Sequence, residues 1–153
     1  MFYLILVACL ILDQVTKLLI ASNMTPGESI PVVKDVFHIT YVLNHGASFS
    51  ILQGRRWFFI VVTIITLAVI LYLLRSIPHD CRRLRAAIAV FCGGTLGNFI
   101  DRLLRGAVVD FIDFRFFPVF NIADCCLCCA MAAICWMLLF GREKRLLENQ
   151  KHE

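Results

Sequence analysis

Between Trp57 and Leu74 the chain runs for 18 residues without a single charge, and that run narrows what it can fold into. As a helix it spans about 27 Å, close to the thickness of a bilayer's hydrocarbon core. Ile122 to Phe140 is a second long run, carrying only Asp124. Met1 to Ile20 is apolar apart from Asp13, Gln14 and Lys17, with Thr16 mildly polar. Leu84 to Leu104 stays apolar after Arg85 until it reaches Asn98, Asp101 and Arg102. Composition points the same way, with 60% hydrophobic and 17% charged residues against about 45–50% and about 25% in ordinary globular domains. A soluble chain of this length could not hide so much apolar surface in one core. The first segment is not read as a cleaved signal peptide, because it lacks a basic start and carries Asp13 to Lys17 where a small-residue cleavage site belongs.

The expected fold is therefore an all-α membrane protein in one integral domain over residues 1–153. Its four transmembrane helices are expected near residues 1–21, 56–75, 84–104 and 121–141. Lys and Arg set the orientation. The loop at 75–85 and the tail from 141 carry four each, while the loops at 21–56 and 103–121 carry three and two. That bias predicts both chain ends in the cytoplasm, with Arg55 and Arg56 counting against it. No basic stripe on a polar domain is visible, so nucleic acid is not an expected partner.

The first outer loop, 22–55, is too long for a plain connection. Within it Phe37, Ile39, Tyr41 and Leu43 alternate with His38, Thr40 and Val42, which predicts a strand with two unlike faces over 31–43. Asn44-His-Gly-Ala is a turn signal and Ser48 to Leu52 a candidate return strand, together predicting a small extracytoplasmic β-sheet cradle. The second outer loop, 104–120, holds Phe111, Phe114, Phe116, Phe117, Phe120 and Pro118. It is expected as an interfacial, lid-like segment, with its rings toward lipid or packed on the helix ends.

Charges inside a bilayer are costly and need reasons. Asp13 and Lys17 stand one turn apart in the favourable acid-then-base order. Gly93, Gly97 and Asp101 form one stripe and Gly94, Asn98 and Arg102 the next, combining close helix approach with polar residues. With the N-terminus inside, these groups and Asp124 all fall near the outer helix ends, next to Asn44 and Asp110 from the outer loops. One polar cluster, built from every part except the second helix, is expected there. Asp13 with Lys17, and Asp101 with Arg102, read as structural pairs. Asp110 and Asp124 have no basic neighbour at helical spacing, so two such carboxyls in a half-dry site would share a proton and serve as general acid and base. On chemistry alone, an aspartyl site and a structural or ion-handling cluster both stay open. Cys125, Cys126, Cys128 and Cys129 splay around one helix and read as small packing residues, as do the other cysteines. The four histidines have no ligand-like spacing, and no metal is expected.

Five motifs in order resemble one family, the lipoprotein signal peptidases (signal peptidase II). Asp13-Gln14-Val-Thr-Lys17 is similar to its first-helix motif, and Asn44-His-Gly46-Ala47-Ser-Phe49 to its N-x-G-A-x-F motif. Gly93-Gly94-Thr-Leu-Gly97-Asn98-Phe-Ile-Asp101-Arg102 resembles G-G-x-x-G-N-x-x-D-R. Val108-Val109-Asp110-Phe111 and Phe120-Asn121-Ile-Ala123-Asp124 resemble V-D-F and F-N-x-A-D. The resemblance implies an aspartyl endopeptidase of the bacterial cytoplasmic membrane that cuts signal peptides just before a diacylglyceryl-modified cysteine, without metal or organic cofactor. It implies a catalytic dyad of Asp110 and Asp124. Asn44, Gly46, Asn98, Arg102 and Asn121 would shape the site and hold substrate, with Asp13, Lys17 and Asp101 in support. Lipidated prolipoproteins, membrane lipid and globomycin-like inhibitors are the implied partners of a monomer whose active site lies near the outer face. The chain departs from the family in four places. The stretch between Asp110 and Asp124 is short, Asp113 is an additional acid without a role, Cys125 stands where Ser is common, and the start lacks basic residues, as in a chain that begins late. A non-enzymatic membrane subunit, using its acids as a proton relay or assembly glue, is the rival reading; another intramembrane aspartyl protease family is a third.

Overall fold

A computed structural model describes residues 1–46 and 55–141. Four helices long and apolar enough to cross a membrane are present: α1 (Phe2–Asn23), α2 (Arg56–Leu74), α3 (Arg82–Leu104) and α4 (Ile122–Phe140). Their outer faces are apolar and open, with Trp57, Phe58, Ile65, Leu19 and Trp136 all exposed. Water would not tolerate such a surface, and lipid does. Four spans were expected and four such helices are described, with α3 starting at Arg82 and α1 running on to Asn23.

The centre of the bundle is α3, packed against α1, α4 and α2. The glycine stripes explain how. A Cβ on Gly93 would lie 2.8 Å from Cys9 Cβ and the Leu6 carbonyl oxygen of α1, and one on Gly94 would lie 2.6 Å from the Ala123 carbonyl oxygen of α4. Both distances are below contact, so only glycine allows these approaches. One stripe of α3 faces α1 and the other α4, as the spacing predicts. Toward the start of α3, Leu84, Ile88 and Cys92 bury themselves with Cys81 against Phe2, Leu6, Leu67 and Ile134.

A three-stranded antiparallel sheet, ordered β1-β2-β3, sits beside the helix ends. It consists of β1 (Ser29–Val33), β2 (Phe37–Asn44) and β3 (Val108–Asp113). This corrects the sequence reading twice. The predicted single strand over 31–43 is a hairpin, broken where Val36 N–H returns to Val33 O at 3.1 Å and Asp35 takes φ 59°. A short Asp side chain tolerates that left-handed geometry better than its β-branched neighbours. The third strand comes from the stretch assigned to the lid, and pairs Asp110 with Val42 and Val108 with Asn44. The candidate return strand at 48–52 lies outside the described residues.

What remains of the lid is a short loop clasped to β3. Phe120 N–H donates to Ile112 O at 3.1 Å, and Phe120 O accepts from Phe111 N–H at 3.0 Å and Ile112 N–H at 2.8 Å. Phe114 stacks on Phe37 and Phe120 at 5.2 and 6.0 Å, while Phe116 is 84% exposed. The rings thus pack on one another and on the sheet as well as facing outward, and Phe111 is buried within β3.

Candidate active site

Lys17 anchors the site. Its ammonium is fully buried and donates to Asp13 Oδ2 at 2.9 Å, Asp101 Oδ2 at 3.1 Å and Asn98 Oδ1 at 2.8 Å. Three donors meet three acceptors, the condition for keeping an ammonium in a dry interior. The two carboxylates extend this order outward. Asp13 Oδ1 accepts from Ala123 N–H at 2.8 Å, binding α1 to the first turn of α4. Asp101 Oδ2 accepts from Val109 N–H at 3.1 Å, binding α3 to β3.

Because Asn98 Oδ1 is committed to Lys17, its amide Nδ2 must point the other way. It donates to Asp124 Oδ1 at 2.8 Å. Asn121 is oriented by the same logic, since its Oδ1 accepts the Asp124 N–H at 2.9 Å. Its Nδ2 is left to donate to Asp110 Oδ1 at 2.7 Å and Asn98 Oδ1 at 3.1 Å. Asp124 Oδ2 in turn accepts the Asn121 N–H at 3.2 Å, so Asn121 and Asp124 form a reciprocal capping box at the start of α4. Asn44 Nδ2 donates to the second oxygen of Asp110 at 2.9 Å, and Asn44 Oδ1 accepts from Gly46 N–H at 2.9 Å.

Asp110 and Asp124 thereby line one cleft of about 600 Å³ with Asn44, Gly46, Asn98 and Arg102. Each carboxyl is held by amide donors, and neither has an ion pair among the described residues. Burial lifts the Asp110 carboxyl from 3.8 to about 7, against the pull of the Asn44 hydrogen bond; the Asp124 charge adds to the rise, and the Asn121 bond and Lys17 oppose it. Asp110 is thus poised to give or take a proton near neutral pH beside the Asp124 carboxyl. The rest of the cleft is apolar, walled by Phe117 to Phe120 on one side and by Leu127 with Cys125, Cys128 and Cys129 of α4 on another.

Two expectations need correction. Asp101 does not pair with Arg102; its partners are Lys17 and Arg105, the latter at 2.7 Å. Arg102 turns instead to the cleft, donating to Gly46 O at 3.3 Å and lying 4.8 Å over the Phe59 ring. The second helix is therefore not absent from the site, since Phe59 supports Arg102 and Thr63 lines the cleft. The thiols divide as well. Cys126 packs at Gly94, whereas the cleft-lining cysteines make surface for a ligand in addition to packing.

Asp113 acquires a structural account. It accepts from Thr40 Oγ1 at 2.7 Å, Arg115 N–H at 2.8 Å and Arg115 Nη1 at 3.0 Å. Burial acts to raise its carboxyl, but these bonds and the Arg115 charge outweigh it and hold the group below the usual range. Gln14, passed over within its motif, donates to Gly97 O at 3.1 Å and Asp13 Oδ2 at 3.2 Å, bridging α1 to α3.

Comparison with known proteins gives one answer. The family described as signal peptidase (SPase) II matches residues 5–140. A lipoprotein signal peptidase of Moorella thermoacetica is 44% identical over 147 residues, covering 93% of this chain and 98% of its own length. One from Shouchella clausii is 49% identical over 125 residues, covering 81% and 83%. A solved bacterial membrane enzyme is similar at TM-score 0.83 and 41% identity, with 90% of this chain and 87% of that one covered. Motifs, fold and relatives thus agree along nearly the whole length, and the chain belongs to the signal peptidase II family.

Proposed function

We propose that this protein is an aspartyl endopeptidase of the bacterial membrane that removes signal peptides from diacylglyceryl-modified prolipoproteins, cutting just before the lipidated cysteine, with Asp110 and Asp124 as its catalytic pair. The observation that carries the assignment is their shared cleft, where both carboxyls are aimed by amides of fixed orientation and neither forms a direct ion pair among the described residues.

Asp110, in the protonated form that its pKa of about 7 leaves available near neutral pH, donates to the scissile carbonyl oxygen while Asp124 takes a proton from water. The water oxygen bonds to the carbonyl carbon and forms a neutral gem-diol. Asp124 then passes its proton to the amide nitrogen, the C–N bond breaks, and Asp110 recovers a proton from a diol hydroxyl as the new carboxylic acid forms. Both residues end as they began. Arg102, braced by Gly46 O and Phe59, holds the substrate backbone with Asn44 and Asn98 at the cleft wall, while Asn121, fully buried behind it, aims Asp110. Asp13, Lys17 and Asp101 keep Asn98 and the start of α4 in place.

The apolar cleft walls suit acyl chains entering from lipid, and a globomycin-like inhibitor would compete for the same walls. Both chain ends lie in the cytoplasm, the cleft opens toward the outer face, and the protein acts as a monomer. Cleavage of a diacylglyceryl preprotein by purified protein in nanodiscs tests the central claim. Wild type should cut before the lipidated cysteine, and Asp110→Asn and Asp124→Asn should each fold yet lose on the order of 10³-fold or more in rate. Near-normal cleavage by either variant would remove that residue from the pair.

A further inference from the structure

At the end of the bundle opposite the carboxyl pair lies a second feature with its own chemistry. α3 rises roughly 20 Å between Arg85 and Asn98, so nothing here touches the cleft. A crevice of about 1010 Å³ opens among Tyr3, Arg75, Ser76, His79 and Arg85, with Leu71 and Leu74 on its wall. A smaller one of about 460 Å³ shares Tyr3, His79 and Arg85 and adds Arg82 and Asp80. The first turn of α3 contains no acid, although Arg82, Arg83 and Arg85 crowd it. Cations at a helix N-terminus oppose the helix dipole, and Asp80, just before α3, offsets only part of their charge, so a further anion is favoured there. Arg85 is fixed in place because its Nη1 donates to Leu74 O at 3.2 Å and Ile77 O at 2.9 Å, closing the end of α2. Arg75 and Arg82 are exposed and have no ion pair among the described residues.

We propose that these adjoining crevices bind the phosphate of an anionic phospholipid, held in the larger by Arg75 and Arg85 with the Tyr3 and Ser76 hydroxyls and approached from the smaller by Arg82, while the acyl chains lie along Leu71 and Leu74. A basic loop that only sets orientation needs charge but no cavity. Here the cations surround a crevice whose wall changes from guanidinium to leucine, matching a molecule with a phosphate head and a hydrocarbon tail. Guanidinium groups suit phosphate oxygens by their forked geometry.

The test uses full-length protein stripped of lipid in a neutral detergent, with thermal unfolding followed as lipid is added. Dioleoylphosphatidylglycerol at about 100-fold above its Kd should raise Tm by roughly 5 °C or more. Dioleoylphosphatidylcholine should not. The double substitution Arg75→Gln/Arg82→Gln should abolish the response while keeping the wild-type Tm in phosphatidylcholine, which shows that it folds. Arg85 is left intact because it closes α2. Equal shifts with both lipids, or a full response in the double variant, would overturn the proposal. An equal shift from inorganic phosphate alone would make the site one for a free anion and also overturn it.

Discussion

A buried ammonium must find three acceptors, and Lys17 finds them in Asp13, Asn98 and Asp101. Replacing Lys17 with Met strands two carboxylates in a dry interior, at a cost of about 3–5 kcal/mol. It also frees Asn98 to turn its amide away from Asp124. Lys17→Met should therefore unfold at a Tm lower by roughly 10 °C and cleave poorly even where folded, as unfolding scans and single-turnover cleavage will show. Asp110 makes a separate prediction. Its carboxyl is raised from 3.8 to about 7 by burial, so the folded state keeps a proton that the unfolded chain has lost. Stability then falls as pH rises across that window and levels off above it, by roughly 4 kcal/mol in all. Asp110→Asn should flatten this contribution, so Tm measured from pH 4.5 to 8.5 ought to drop less than in wild type. Cleavage should decline above about pH 7 as Asp110 ionises. Among single residues, Asp110 and Asp124 stood out because each lacked a cation at helical spacing, but that alone left a structural cluster open and only the motif resemblance joined them as a pair. The direction of Arg102 was not legible, because its partner is the carbonyl of Gly46 in a distant loop, and adjacency to Asp101 in sequence says nothing about that.

At the level of elements, α4 begins with the residues that build the site. Asn121 caps the Asp124 N–H and also donates to Asp110. Asn121→Ala should cost about 1–2 kcal/mol of stability, while the rate loss should be far larger because Asp110 loses its amide donor and the turn carrying Asp124 loses its side-chain cap. A Tm scan beside a kcat measurement separates the two effects. Gly94→Ala tests the helix contact, since its Cβ would meet the Ala123 carbonyl oxygen at 2.6 Å. α3 and α4 must then part, and the amide links from Asn98 to Asp124 and Asn121 must stretch. The expected result is a Tm several degrees lower, with cleavage reduced in proportion to the disturbed pair. The glycine stripes were readable because period fixes which side of a helix a residue takes. β3 escaped notice although Val108, Val109, Phe111 and Ile112 have strand character. Its partner lies more than sixty residues earlier, and local pattern cannot announce a pairing across that separation.

Taken whole, the molecule is a bundle in which α3 meets the three other helices, and α2 leans on α3 with most of its surface open to lipid. The four spans could be read from hydropathy. The position of α2 could not, because a helix apolar on every side has no face that distinguishes neighbour from lipid. Orientation is tested directly by an epitope tag inserted in the Lys34–Asp35 turn and another at the N-terminus. In spheroplasts the first should be reached by antibody and the second only after permeabilisation; the reverse result would invert the whole assignment. The hydrogen bond from Ala123 N–H to Asp13 joins the first helix to the last. Synthesis delivers those partners at opposite ends of the translation schedule. Until the fourth span has left the ribosome and entered the bilayer, Asp110 lacks the Asn121 donor, Asp124 does not yet exist beside it, and Asp13 waits without its backbone partner. With the proposed pair as the catalyst, a nascent chain of this protein is proteolytically silent, and hydrolytic competence arrives only with the completion of insertion.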